Sequence, residues 1–288
     1  MRQWYLLLSL IPALLAADIC SPNVRHMRIT ARHIEGGGVG YNQGYTTGEL
    51  FLGSNPNQWF GMPFMDLRAH VFNNGRYDFN AGIGLRSTLG CRVYGINAYY
   101  DYRNARHSIY NQVAIGLETL GAVFDFRLNG YLPVGKKVSA PYRPTPDGIA
   151  NGNILTRYKY EYAMSGVDME AGFHLGSVAG VSFYLAAGPY YFKGTYGKGA
   201  AGGEARLTCA YKEYITLDLI DSCDTVFHNN VQGQIALTLP FGSSPNESPA
   251  KQKCSPTLCG RMAQPVRRQE ITVLNRHWQT VATPLPPP

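Results

Sequence analysis

What most narrows the folding of this chain is a repeated pattern. From about Gly37 to Phe241, runs of roughly ten residues alternate apolar and polar side chains, separated by Gly, Asn, Ser or Pro turns. Val167, Met169, Ala171, Phe173 and Leu175 share one side of such a run, and Asp168, Glu170, Gly172 and His174 share the other. Phe124, Phe126 and Leu128 alternate in the same way with Asp125, Arg127 and Asn129, as do Tyr158, Tyr160 and Tyr162 with Arg157, Lys159 and Glu161. A period of two specifies strands, so the chain is expected to be all-β.

Alternation also suits a soluble sandwich, so the polar side has to discriminate. That side mixes acids and bases with Gly and Asn. Asp66, Arg68, Asp125, Arg127, Arg157, Glu161, Asp168, Glu170, Glu204 and Arg206 are its candidate members, a set suited to a polar lumen in which opposite charges pair across strands. Aromatics are 12% and charged residues only 16% of the chain, below the usual charged quarter of a soluble domain. Tyr99, Tyr100 and Tyr102, then Tyr190, Tyr191 and Phe192, then Trp59 and Phe60, are placed like interfacial girdles. No segment after the N-terminus offers eighteen consecutive apolar residues. Any crossing of a bilayer must therefore use a closed barrel, because lipid leaves open sheet edges unsatisfied.

The ends differ from the middle. Residues 1–17 carry Arg2, a Leu-rich stretch and Ala16–Ala17, the pattern of an export signal. Residues 18–36 are expected to form a leader, 37–242 the barrel, and 243–288 a short disordered linker or tail with no passenger domain, in which Glu270 to Leu274 is a short extended candidate. About twelve strand-like runs begin near Thr46, Met62, Arg76, Cys91, Asn111, Ala122, Leu155, Val167, Val181, Gly203, Ile215 and Asn230, and bacterial barrels favour an even number. Pro133 to Asn153 is expected to be a long loop. The six cysteines are scattered, and Cys254 with Cys259 is the best local disulfide candidate.

Three stretches in succession carry a family resemblance: Gly95 to Tyr102 (GINAYYDY), Gln112 to Leu117 (QVAIGL), and Asn129 to Pro133 (NGYLP), with Tyr77 to Arg86 (YDFNAGIGLR) upstream. The chain resembles the inverse autotransporter barrel of the intimin and invasin type. The resemblance implies a transmembrane antiparallel β-barrel of about twelve strands in the bacterial outer membrane, whose downstream linker passes through the pore and displays an adhesin passenger. Val266 to Leu274 (VRRQEITVL) looks like that linker, and the few residues beyond it are expected to carry no globular passenger. Outer-membrane lipid, the barrel-assembly machinery and periplasmic chaperones are the expected partners, and a host receptor is not expected without a passenger.

Other chemistries find little support. The net charge of +7 is spread along the chain rather than gathered, which argues against a nucleic-acid partner. Gly36, Gly37, Gly38 and Gly40 lack the Gly-Lys-Ser/Thr of a phosphate loop. The seven histidines form no cluster, and His107 beside Ser108 is the one local hint of a hydrolase. No catalytic residue, cofactor or metal is expected. Two membrane functions remain open: a translocator or anchor related to adhesins, and a porin-like or structural barrel.

Overall fold

Successive side chains of a strand point to opposite sides, and here the sides are filled in the reverse of a soluble protein's order. The computed structural model describes residues 26–54, 61–242 and 260–285. Twelve antiparallel strands close on themselves: β1 (Met27–Glu35), β2 (Tyr45–Gly53), β3 (Met62–Phe72), β4 (Tyr77–Leu89), β5 (Arg92–Asn104), β6 (Ile109–Leu120), β7 (Phe124–Val134), β10 (Ser165–Val178), β11 (Val181–Lys193), β12 (Ala200–Tyr211), β13 (Ile215–Asp224) and β14 (His228–Phe241). Between β7 and β10 the chain leaves the wall as a hairpin, β8 (Tyr142–Ala150) and β9 (Asn153–Ala163). The last strand, β15 (Leu274–Pro284), joins that hairpin in a three-stranded sheet ordered β15-β9-β8.

The barrel wears its apolar residues outside. On β3, Met65, Leu67 and Val71 face out while Asp66, Arg68 and His70 are fully buried. Ile83 is 67% exposed and Arg86, three residues on, 0%. An apolar outer band around a charged interior is what a closed sheet in lipid requires. The aromatic clusters divide by the same parity: Tyr100 and Tyr191 face out, whereas Tyr99, Tyr190 and Phe192 are buried inside. Trp59 and Phe60 lie outside the described residues.

The two ends of the barrel differ. At one, here the turn end, Gly90–Cys91, Ala179–Gly180, residues 121–123 and residues 212–214 close their hairpins tightly, and β1 begins and β14 ends there. At the other, the loop end, lie residues 36–44, 105–108, 194–199 and the excursion that carries β8 and β9.

Several expectations need correction. The barrel begins before residue 37, since β1 pairs with β14 from Met27↔Phe241 to Glu35↔Gly233 and so closes the sheet. Its outward residues, Ile29, Ala31 and His33, are too mixed to advertise a strand. The run near Leu155 is β9, outside the wall. The count of twelve thus survives with one strand exchanged for another. The expected loop from Pro133 to Asn153 contains β8. The tail is not disordered over 260–285, where it forms a helical turn at Arg261–Ala263 and then β15. The export signal and the Cys254–Cys259 pair lie outside the described residues; Cys91 is disulfide-bonded, and Cys209 and Cys223 are free thiols.

Candidate functional site: a lumen filled by the chain's own segment

A chain threaded through a pore has no neighbouring strand to satisfy its backbone, so its carbonyls and amides must find side chains. That requirement explains the arginines of this lumen. After β14 ends at the turn end, the chain re-enters there at Arg261–Ala263, passes through the barrel over residues 264–273, and emerges at the loop end as β15. At the turn end, Arg261 donates to the carbonyl of Gly121 and to the Asp125 carboxylate (2.8 Å). Farther in, the Arg86 guanidinium donates to the carbonyls of Met262 (2.6 Å) and Gln264 (2.5 Å), and Arg68 donates to that of Val266 (2.9 Å). Asn129 and Asn80 cover the carbonyls of Arg267 (3.3 Å) and Glu270 (3.0 Å), and Arg103 that of Thr272. The Gln269 amide donates to the Tyr131 hydroxyl (2.7 Å). Each such group left unmet would cost about 1–3 kcal/mol.

Side-chain charges lock the same segment. Glu270 is held by Arg32 (2.5 Å) and by Arg68, and Arg68 also binds Asp66 (2.5 Å), which accepts from the Tyr99 hydroxyl (2.7 Å). Arg268 forks onto both oxygens of Asp101 (2.8 and 2.5 Å) with its guanidinium over the Tyr99 ring at 4.4 Å. Arg267 reaches Asp218 at 3.3 Å. Bidentate and stacked arginines fix orientation as well as charge. The small residues of the wall make room for these rings: a Cβ on Gly82 would sit 2.2 Å from Tyr99, and one on Gly172 1.8 Å from the Tyr184 hydroxyl.

Of the charges expected in the lumen, Asp66, Arg68, Asp125, Arg127, Asp168, Glu170 and Arg206 lie inside it. Arg127 and Arg206 clamp Glu170 from two sides at 2.6 Å each. Asp168 accepts from Asn129 (2.8 Å) and Tyr131 (2.5 Å). Glu204 lines a residual cavity of roughly 110 Å³ together with Arg32, Glu170, Arg206 and Arg267, room for only a few waters at about 30 Å³ each. Arg157 and Glu161 are not lumen residues, because β9 is not a wall strand. Arg157 is exposed and lies over the Trp278 ring at 5.1 Å, and Glu161 pairs with Arg276 (3.4 Å) near the mouth. Alternation alone cannot tell a wall strand from a hairpin strand that also alternates.

Sequence reasoning missed Arg32, Glu49, Asp101 and Asp218 on the wall, although each sits at the polar parity of its strand. It also missed Arg261 as a lumen residue and, although the resemblance implied that Val266 to Leu274 threads the pore, named none of Arg267, Arg268 and Glu270 as charges that pair there. The cue was available: a charged stretch, VRRQE, following a barrel whose interior carries the complementary charges.

Outside the wall, burial lowers the pKa of His107, whose ring stacks on Tyr142 at 3.5 Å. Ser108 donates instead to the Ile109 carbonyl (3.4 Å). Partial burial and then the neighbouring Arg276 and Arg143 charges lower that of Lys159. Among the described residues, no group of three His, Cys, Asp or Glu side chains is placed to hold a metal ion, and no helix is long and apolar enough to cross a membrane, which says nothing of strands.

Comparison with known proteins agrees with this geometry. A structure determined in work on in-meso crystallization of membrane proteins superposes with a TM-score of 0.59 at 17% identity, covering 87% of this chain and 100% of that one. An outer-membrane channel from Pseudomonas putida aligns with a TM-score of 0.47 at 10% identity, over 78% of this chain and 98% of that one. The translocator domain of the autotransporter NalP from Neisseria meningitidis aligns with a TM-score of 0.34 at 11% identity, over 82% and 95%. At such identities only the first likeness bears on the fold, and it is a likeness of fold alone. No curated protein sequence matches. The family described as "inverse autotransporter, beta-domain" matches residues 47–270, most of the wall and the threaded segment as far as Glu270. The chain therefore belongs to the inverse autotransporter β-domain family, and is an integral β-barrel of the bacterial outer membrane.

Proposed function

We propose that this barrel delivers its own C-terminal segment to the cell exterior and anchors it there, with no catalytic role. The observation that carries the reading is the path of residues 261–284, in at the turn end, through the lumen and out at the loop end. Short turns and both barrel termini mark the turn end as periplasmic, and longer loops mark the other as external. The energy is that of folding: Arg32, Arg68, Arg86 and Arg103 of the wall gain contacts to the segment in addition to their partners on the wall.

The porin-like alternative has one requirement, a continuous aqueous path, and residues 264–273 occupy that path. The apolar outer band is suited to outer-membrane lipid. Getting such a surface across the periplasm unaggregated calls for chaperones, and closing β1 on β14 in the membrane calls for the barrel-assembly machinery. The test places an epitope after Pro288 on intact cells. Antibody binding and protease accessibility without permeabilisation are the expected result; an epitope reached only after permeabilisation would refute threading to the exterior. Silence in planar bilayers, turning to conductance when residues 260–288 are removed, is the matching electrical result.

A further inference from the structure

Hairpin β8–β9 pairs its two strands with each other outside the wall. Its tip is Asn151–Gly152, both at positive φ (49° and 71°), the pair that a two-residue hairpin turn favours. One of its two edges is blunted. β8 carries Pro144 and Pro146, which have no N–H to offer, and its register with β9 slips between Tyr142 and Thr145 and again between Pro146 and Gly148. The other edge, along β9, is regular. Before the threaded segment arrives, that edge would present an unpaired row of donors and acceptors at the mouth of the pore, a template that accepts a strand on one side only.

β15 fills that template completely. Its pairing runs without a slip from Leu274↔Ala163 at the mouth to Pro284↔Asn153 at the tip, and Leu285 N–H donates to the Gly152 carbonyl (3.0 Å). Side chains reinforce both faces of the pair. Trp278 lies under Arg157 and Lys159 at 5.1 and 5.2 Å, and His277 stacks on Tyr196 at 5.1 Å. At the mouth, the Met164 amide donates to the Val273 carbonyl (2.9 Å).

We propose that β9 is an external docking strand that captures the emerging segment by strand addition and clamps it, so that threading is one-way and outward load is borne before it reaches the lumen. The geometry suits load. β9 joins the wall at the mouth, whereas β15 leaves the sheet at the tip. An outward pull on β15 therefore loads all their hydrogen bonds together in shear instead of opening them one by one. The inference rests on the delivery reading above, and its test separates the two.

The segment itself provides the assay. Arg276 is the last Lys or Arg before the C-terminus, so trypsin releases an epitope placed after Pro288, itself free of Lys and Arg, from the outside only by cutting there or deeper in the lumen. Three forms of the full chain are compared on intact cells: the natural sequence, one with residues 142–159 replaced by a short Gly-Ser turn, and Gln279→Pro/Thr280→Pro, which removes a donor of each parity from β15 and leaves the hairpin whole. Heat-modifiable migration reports barrel folding, and the proline variant carries the test should the shortened hairpin prevent it. The expected result is that folded variants release the epitope about tenfold faster than the natural sequence, following the population of undocked strand. Equal release rates would overturn the clamp and leave threading intact. An epitope inaccessible on intact natural-sequence cells would refute delivery. The clamp is then decided by the same trypsin cut on purified barrel in detergent, where again equal rates overturn it.

Discussion

At the residue scale, the lumen works by reciprocal need: wall arginines need carboxylates and carbonyls, and the threaded backbone needs donors. Glu270 is a threaded carboxylate held by two wall arginines, Arg32 and Arg68. Glu270→Gln leaves two buried guanidinium groups short of charge, and breaking such a pair costs about 3–5 kcal/mol. Intermittent conductance in planar bilayers, against a silent natural sequence, is the expected sign. Gly40 shows why the glycine-rich stretch before β2 matters. Its φ is +82°, and a Cβ there would meet Val273 Cα and Leu274 N at 2.8 and 2.7 Å. Gly40→Val should displace the exit of the segment and raise trypsin sensitivity at Arg276 without changing heat-modifiable folding. Burial depresses the folded pKa of His107, so its contribution is full above the unfolded value near 6.5 and is lost as pH falls below it. The charged groups around it are Glu161, Arg106, Arg276 and Arg76. The His107–Tyr142 contact should therefore loosen on acidification, read as faster hydrogen exchange in residues 105–108 and 142, and His107→Phe should abolish that pH dependence.

At the scale of elements, two strands with similar alternation have different duties. β12 is wall and β9 is not, so Arg206 and Arg157 should respond differently to truncation. Arg206→Ala leaves Glu170 with Arg127 alone and should lower the thermal transition by the equivalent of about 1–3 kcal/mol. Arg157→Ala removes an exposed cation over Trp278 and should cost under about 1 kcal/mol. β1 is the closing strand, so deletion of residues 27–35 should abolish the heat-modifiable band, since an open sheet edge in lipid has no partner for its backbone. β1 was hard to see because its outward positions include Ala31 and His33, and β9 was easy to misplace because a hairpin standing in water alternates as well as a strand standing in lipid.

At the scale of the whole molecule, the barrel and its threaded segment are one object. The wall alone would keep Arg86 on Glu118 and Arg103 on Asp78 but lose the carbonyls and the Arg268 guanidinium that fill the lumen, and the segment alone has no partner for its backbone. Much of this was legible in the sequence. Period-two runs dictated strands, the absence of a long apolar run dictated closure, and the polar parity located Asp66, Arg68, Asp125, Arg127, Asp168, Glu170 and Arg206 in the interior. All of these follow from where a side chain points relative to its neighbours, which is local information. Which strands share the wall, which wall residues VRRQE pairs with, and that β15 docks on β9 came only from the tertiary structure. Arg268 meets Asp101 and Glu270 meets Arg68 across 167 and 202 residues of chain, and a pairing of that separation is fixed by closure of the barrel, which no local period records.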